Sequence, residues 1–335
     1  MASDNDQDPE PEWLRKLPLR SEEIGFSPDE LIECRGCGRW NAPNRPTCLY
    51  CGSGLEGVGI TKFDIREPES WESGFNVVIV DAFEGDAERA AIELASLLHS
   101  ERESLKPLLK AGKMIPLARV ETENQAVGIS EKLAAFGIKT TVVADELLQP
   151  KSPPTRLKSL NFDGNQLKLE LFSLGEVRSL EGDELALIVR GVILEGRTES
   201  IERRKRRAAK TVSETAVSSD EPVIDIYSKD DPTGWRIRAS GFDFSCLGPD
   251  KSMLVAENMK RLTARLVEFS SSARLVDDYV STRSFLEYAW PCESRRDKQH
   301  VALNRKEVSN VFTTNNTTQL TKYSRLQWRL YEKEV

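Results

Sequence analysis

Histidine is nearly missing from this sequence, with only His99 and His300 among 335 residues. It is the side chain that titrates closest to neutral pH, so its scarcity removes the commonest general base and the commonest neutral metal ligand. His99 falls within a helical pattern and His300 beside the polar run "RRDKQ", both surface settings. Paired-carboxylate, Gly-x-Ser-x-Gly and phosphate-cradling glycine motifs are also missing, so the expectation is a protein without catalytic activity. No apolar run approaches the roughly 20 residues that span a bilayer. The opening "MASDNDQDPEPEW" lacks the basic and apolar regions of a signal peptide. A cytoplasmic protein with no membrane partner and no identifiable small-molecule ligand is therefore expected.

Cysteine is scarce as well, and its distribution is informative. Four of the six cysteines lie in "ECRGCGRWNAPNRPTCLYCGS", residues 33–53. Cys34 and Cys37 form one C-x2-C pair, Cys48 and Cys51 a second, and a glycine follows each pair (Gly38, Gly52). Such a pair wraps two thiolates around one ion, and the glycine allows the tight turn that aims backbone N–H groups at sulfur. Two pairs make four ligands with no open coordination position, which predicts a structural zinc. A disulfide pairing would require an oxidising compartment that nothing in the sequence suggests. So short a segment cannot bury a core, and the metal is expected to supply its folding energy.

The pattern C-x2-C-x3-N-x6-C-x2-C, carried by Cys34, Cys37, Asn41, Cys48 and Cys51, resembles the Ran-binding-protein type zinc finger and, more loosely, short four-cysteine zinc ribbons. Some members of that family bind ubiquitin through a Thr-Phe pair after the second cysteine. Gly38 and Arg39 stand there in this chain, and the tryptophan usual two positions before the first cysteine is Ile32. Other members bind single-stranded RNA through arginines and a stacking aromatic. Arg35, Arg39, Arg45 and Trp40, with no acid among residues 34–51, are the matching candidates, with Tyr50 as a second stacking surface. The competing expectation is that Trp40 packs into the finger's own small core and the arginines are solvated.

Charge and periodicity outline the rest. Of 54 acids and 47 bases, ten acids and three bases fall in the first 33 residues, so the remainder balances at 44 of each sign. Residues 1–32 read as an acidic disordered head. Residues 75–148 follow the order β-α-(α)-β-α-β, with a strand at Val77–Val80, a helical pattern from Asp86 broken at Pro107, a strand at Leu117–Val120, a helix at Asn124–Phe136 stopped by Gly137, and a strand at Thr140–Val143. This predicts an α+β sandwich, and residues 76–147 loosely resemble the C-terminal domain of the ribosomal stalk protein. Asp81 is read as a strand-end polar residue. Proline-rich residues 149–160 read as a linker.

Residues 161–335 are expected to form a β-rich, barrel-like domain. Strand-like segments include "NQLKLELFSL", "DELALIVRGVIL", "PVIDIYS", "GWRIRAS" and "FDFSCL", the last placing Cys246 in a buried, inert position. Val255, Met259, Leu262, Leu266 and Phe269 form one apolar helical stripe, an amphipathic helix closing the barrel. In outline, residues 160–270 resemble a pleckstrin-homology-like barrel. The run "RRKRRAAK" makes Arg203, Arg204, Arg206 and Arg207 a long basic loop able to hold phosphate. Leu275, Tyr279, Leu286 and Trp290 suggest a further helix, and Leu326, Trp328 and Leu330 alternate as in a half-buried strand. The fold class expected is multidomain: a four-cysteine finger, an α+β sandwich and a β-rich domain closed by a helix. The expected function is a zinc-binding adaptor or regulatory protein with protein partners. The alternative is an RNA- or ribosome-associated factor using the finger and the loop 203–210.

Overall fold

In the structure, a computed structural model, the residues described are 31–42, 48–53, 55, 67–69, 72–98, 102–149, 151–173, 175–205, 208–300 and 307–334. Nearly all of the acidic head, and with it Arg45, His99, Arg206 and Arg207, lies outside them. The chain divides into two compact units, Met1–Asp64 and Ile65–Val335. The first contains a two-stranded antiparallel ribbon of β1 (Ile32–Glu33) and β2 (Trp40–Asn41).

The second unit begins with β3 (Phe75–Ile79), α1 (Ala87–Leu98), α2 (Arg102–Lys110), β4 (Pro116–Val120), α3 (Glu123–Ala135), β5 (Thr140–Ala144) and the short α4 (Asp145–Leu148). The strands form an antiparallel sheet in the order β4-β3-β5. The helix α3 starts where the sequence provides a capping box, Thr122 Oγ1 accepting from Gln125 N (3.3 Å) and Gln125 Oε1 from Thr122 N (3.2 Å). The expected break at Pro107 is corrected. Pro107 sits inside α2, because proline forfeits only one ladder hydrogen bond of a nine-residue helix.

Next come β6 (Thr155–Asp163), β7 (Gln166–Leu171), β8 (Val177–Glu181), β9 (Leu185–Lys205), β10 (Ala208–Ser228) and β11 (Trp235–Arg238). They are followed by α5 (Val255–Phe269), β12 (Arg274–Val276), α6 (Tyr279–Leu286), β13 (Glu293–His300), β14 (Glu307–Asn315) and α7 (Thr317–Glu334). The sheet runs β13-β14-β9-β10-β11-β6-β7-β8, with β12 parallel to β9, and curls into a half-barrel. Most of the predicted stripe of α5 fills it: Met259, Leu262 and Leu266 are buried with Leu157, Leu169, Ile226 and Ile237, while Val255 at the helix start is exposed. None of the described helices is long and apolar enough to cross a membrane.

Four further expectations are corrected. The linker 149–160 is a short turn entering β6, since Thr155 and Arg156 already pair with Trp235 and Arg236. The "FDFSCL" strand is a 3-10 segment, Phe244–Asp250, held by the side chain of Asp243, and Cys246 in it is only half-buried. The helix expected across Leu275 is preceded by β12, and only its later part is helical. The long basic loop is mostly a hairpin, with Arg203 and Arg204 in β9 paired to Lys210 and Ala209 of β10.

A sixth correction concerns the C-terminal segment. The alternation of Leu326, Trp328 and Leu330 belongs to α7, a polar helix in which every residue from Gln319 to Trp328 is buried. A helix covered on all sides shows no apolar stripe, and its polar groups must find partners inside. On one side Tyr227 bonds Ser324 (2.8 Å), Trp328 donates to Ser228 O (3.0 Å), and Arg236 reaches Thr321 (3.3 Å) while gripping Asp225 with two 2.7 Å hydrogen bonds.

On the other side α7 covers the β4-β3-β5 sheet. Asn76 and Arg119 are cross-strand neighbours, and both join a buried cluster around Asp145. Asp145 accepts from Asn76 (3.0 Å), Arg119 Nε (2.8 Å), Gly74 N (3.1 Å) and Lys322 of α7 (3.0 Å). Trp290 donates to Asn76 Oδ1 (2.7 Å), and Lys322 lies 5.6 Å from its ring centre. The opposite sheet face meets α3, where Ser130 bonds Thr140 (2.6 Å). The β3 strand is thus buried on both faces, and its core runs on through Trp290, Leu320 and Leu326. Residues 75–148 are part of the larger unit for this reason, not a separate sandwich.

The turn between β10 and β11 gives a direct stability test. Gly234 has φ of +65°, and a Cβ there would overlap the buried Tyr227 ring. Gly234→Ala is expected to cost about 2–4 kcal/mol, from left-handed strain and overpacking together. Thermal unfolding of the variant checks this, and an unchanged midpoint would refute the packing described.

Candidate metal centre

The two cysteine pairs form matching turns. Gly38 N donates to Cys34 O (2.7 Å) and Gly52 N to Cys48 O (2.9 Å), with both glycines at positive φ, +69° and +73°. Each turn therefore needs the residue that adopts this conformation without a Cβ penalty. Cys34 N bonds Arg39 O (3.0 Å) and Cys48 N bonds Ser53 O (2.8 Å), closing each loop behind its thiols. Asn41 ties the two halves together. Its amide donates to Arg39 O (2.8 Å) and Cys48 Sγ (3.4 Å), and its oxygen accepts from Leu49 N (2.9 Å).

The four Sγ atoms lie within 4.8 Å of one another, with Cys34–Cys51 at 3.6 Å and Cys37–Cys48 at 3.5 Å. No disulfide is present among them. Tetrahedral ligation at a metal–sulfur distance of about 2.3 Å requires sulfurs ~3.8 Å apart, so the cluster can hold a metal ion. Cys34 and Cys48 are buried and Cys37 and Cys51 face outward. Burial of Cys48 opposes ionisation, yet hydrogen bonds from Tyr50 N, Cys51 N and Asn41 bring its thiol down to about 6. A sulfur already receiving donors is prepared as a thiolate ligand.

Around the sulfurs a small core of Cys34, Cys48 and Leu55 forms, with Ile32 packed against it. Trp40 is not part of it, contrary to the expectation that it would be; it is 56% exposed, as are Leu49 (62%) and Tyr50 (53%). Ile32 fills the site instead, leaving the indole free to face solvent beside β1. The Arg39 guanidinium stacks over Tyr50 at 4.6 Å, and Arg35 is exposed. Thus Arg39, Trp40 and Tyr50 share one small segment, while Arg45 lies outside the described residues. Arg203 and Arg204 belong to the other unit. Of the remaining cysteines, Cys246 has its thiol raised to about 11 by burial, and burial followed by Glu287 raises Cys292. Both are poor nucleophiles.

Among the described residues, the four cysteines are the one group arranged to hold a metal. Compared with family models, with curated proteins and with solved structures, the chain matches none.

Proposed function

We propose that the chain is a zinc-stabilised adaptor or regulatory protein of the cytoplasm, acting by binding other proteins and without a catalytic step. One observation carries this reading: the thiolate cluster is closed, while the apolar side chains Trp40, Leu49 and Tyr50 lie on the outside of the segment it organises. A closed shell leaves zinc no position for substrate, so its role is to hold a recognition surface in shape. Aromatic residues kept out of a core are the usual anchors of protein interfaces. The resemblance to Ran-binding-protein type fingers fits this role.

A second reading, contact with single-stranded RNA, is favoured by the Arg39–Tyr50 stack next to Trp40. Trp40→Ala separates the two. It is expected to leave zinc content and thermal stability unchanged and to abolish capture of protein partners in a nuclease-treated lysate. Under the second reading, capture disappears with nuclease alone, and Trp40→Ala weakens RNA binding by about 1–3 kcal/mol in direct titration. Unchanged partner capture by Trp40→Ala would sink the adaptor reading at this surface.

A further inference from the structure

The two sheets of the Ile65–Val335 unit end in β4, β5, β8 and β13, and three of these edges are closed to further pairing. β4 is buried at all five of its residues. β8 holds Arg178 and Glu181, and β13 holds Glu293, Arg295, Arg296 and Asp297. Charge on an edge strand is a usual device that keeps a sheet from adding another strand. β5 has no such device. Thr140–Ala144 contains no charged residue and no proline, pairs with β3 along its whole length without a bulge, and is only half-buried except at Val143. Among the described residues no strand lies on its outer side.

The register shows which backbone groups face outward. Val80 N donates to Lys139 O (3.1 Å) and Asp145 N to Gly74 O (2.9 Å), so the odd-numbered residues of β5 bond β3. Thr140, Val142 and Ala144 therefore turn their N–H groups to the open side, and Thr140 and Val142 turn their C=O groups there too. The Ala144 carbonyl instead begins α4. Two exposed apolar side chains border this edge: Val127 of α3, one turn before the Ser130 that bonds Thr140, and Leu147 of α4.

We infer that the β5 edge is a self-association surface, on which a second copy of this chain lays its own β5 antiparallel to the first. Two features select this occupant over a strand of another protein. The edge is its own complement. A two-fold axis at Val142 pairs that residue with its equivalent and gives each Ala144 N–H the Thr140 carbonyl of the second copy. The ends of the edge also differ in charge. At its start Lys139 is taken up by Asp81 (2.8 Å), with Glu84 close by, which leaves Lys333, exposed and donating to Thr141 (3.0 Å). Past its other end stands the exposed Glu146. Antiparallel pairing turns Glu146 of each copy toward Lys333 of the other. Five residues and two flanking side chains bury less than the roughly 1,200 Å² of a stable complex, so a dimer of micromolar strength is expected. The inference does not rest on the metal centre or on Trp40.

The test is sedimentation velocity of the full-length protein across the micromolar range, with hydrogen exchange read at the same concentrations. A monomer–dimer equilibrium is expected, and the amides of Thr140, Val142 and Ala144 should exchange more slowly as the concentration rises. Ala144→Pro removes an outward N–H at a residue whose φ of −70° already suits proline, so the fold and its thermal midpoint should persist. The dimer should weaken about tenfold, since the two-fold axis deletes that hydrogen bond twice. Glu146→Lys and Lys333→Glu should each weaken the dimer at low salt. An equimolar mixture of these two variants should restore it, because only the mixed dimer joins opposite charges at both ends; a loss through misfolding would not be restored. A wild type that stays monomeric would leave the edge to a strand of another protein and overturn the inference. A dimer indifferent to Ala144→Pro, slowed exchange elsewhere but not in β5, or a mixture no stronger than its parts would overturn it as well.

Discussion

Asp145→Asn is expected to destabilise the Ile65–Val335 unit by about 3–5 kcal/mol, the usual result of removing one partner from a buried ion pair. The substitution keeps the shape of the side chain and removes its charge. Arg119 and Lys322 would then be two buried cations around a neutral amide, where the native cluster has Arg119 at 2.6 Å and Lys322 at 3.0 Å from the carboxylate. Arg119 has other acceptors, including Pro68 O at 2.8 Å, but these are neutral. Urea unfolding monitored by far-ultraviolet circular dichroism measures the effect, and a cost below about 1 kcal/mol would show that the cluster is not a keystone of the core. The same group sets an acid limit. Burial works against the ionised form, but Lys322, Asn76 and Arg119 together hold the Asp145 carboxyl below its ordinary value. Between the two values the unfolded chain binds the extra proton, so this stability is complete above about pH 3.9 and is lost as pH falls through the folded value. Asp278 shifts in the same direction, its burial outweighed by Tyr323 and Lys113. The acid side of the stability profile should be correspondingly steep, and Asp145→Asn should flatten it.

The second large effect is on the metal. Purified protein is expected to carry one zinc per chain, and Cys48→Ser to release it. Cys48 is the sulfur that receives the most donors and is buried against the finger's minimal core. Structural zinc sites contribute about 10–16 kcal/mol of apparent binding energy to segments that have little else to fold them. Elemental analysis settles this directly; iron, or no metal, in the wild type would overturn the assignment. Chelation should leave the thermal transition of the Ile65–Val335 unit in place, because the finger's core of Cys34, Cys48 and Leu55 is separate from the two cores of that unit.

Legibility in the sequence followed the range of the interactions involved. The cysteine cluster could be read directly, since C-x2-C spacing and two glycines fix a local geometry. The helices α3 and α5 are legible for the same reason, one from the glycine that stops it, Gly137, and the other from its apolar stripe. What depended on distant partners was not. The residue pattern of α7 mimics a strand because Thr321, Lys322, Ser324 and Arg325 are polar yet inside, each hydrogen-bonded to a group outside the helix. Asp145 and Arg119 carried no signal in sequence, since a carboxylate and a guanidinium twenty-six residues apart resemble any surface pair until a sheet brings them together. The outer part of the β9–β10 hairpin reads as a loop in sequence because it is rich in charge and serine and lacks the apolar alternation of a half-buried strand. Sequence alone left Trp40 between a stacking surface and the finger's core, because a large aromatic in so small a segment suits either place; its exposure decides against the core.

The position of α7 in the chain has a kinetic consequence. Its partners all precede it, Asp145 by 177 residues and Tyr227 by 97. Closing loops of that length costs entropy before any contact repays it, and folds dominated by such pairings reach the native state slowly. Until Thr317–Glu334 docks, the charges of Asp145, Arg119, Asp225 and Arg236 lack their final enclosure, and the apolar side chains that α7 covers, Leu187, Val189, Val223 and Tyr227 among them, remain wet. Refolding should therefore show early strand signal followed by a slower phase in which Trp290 and Trp328 become buried together, and substitutions in α7 should slow that second phase alone.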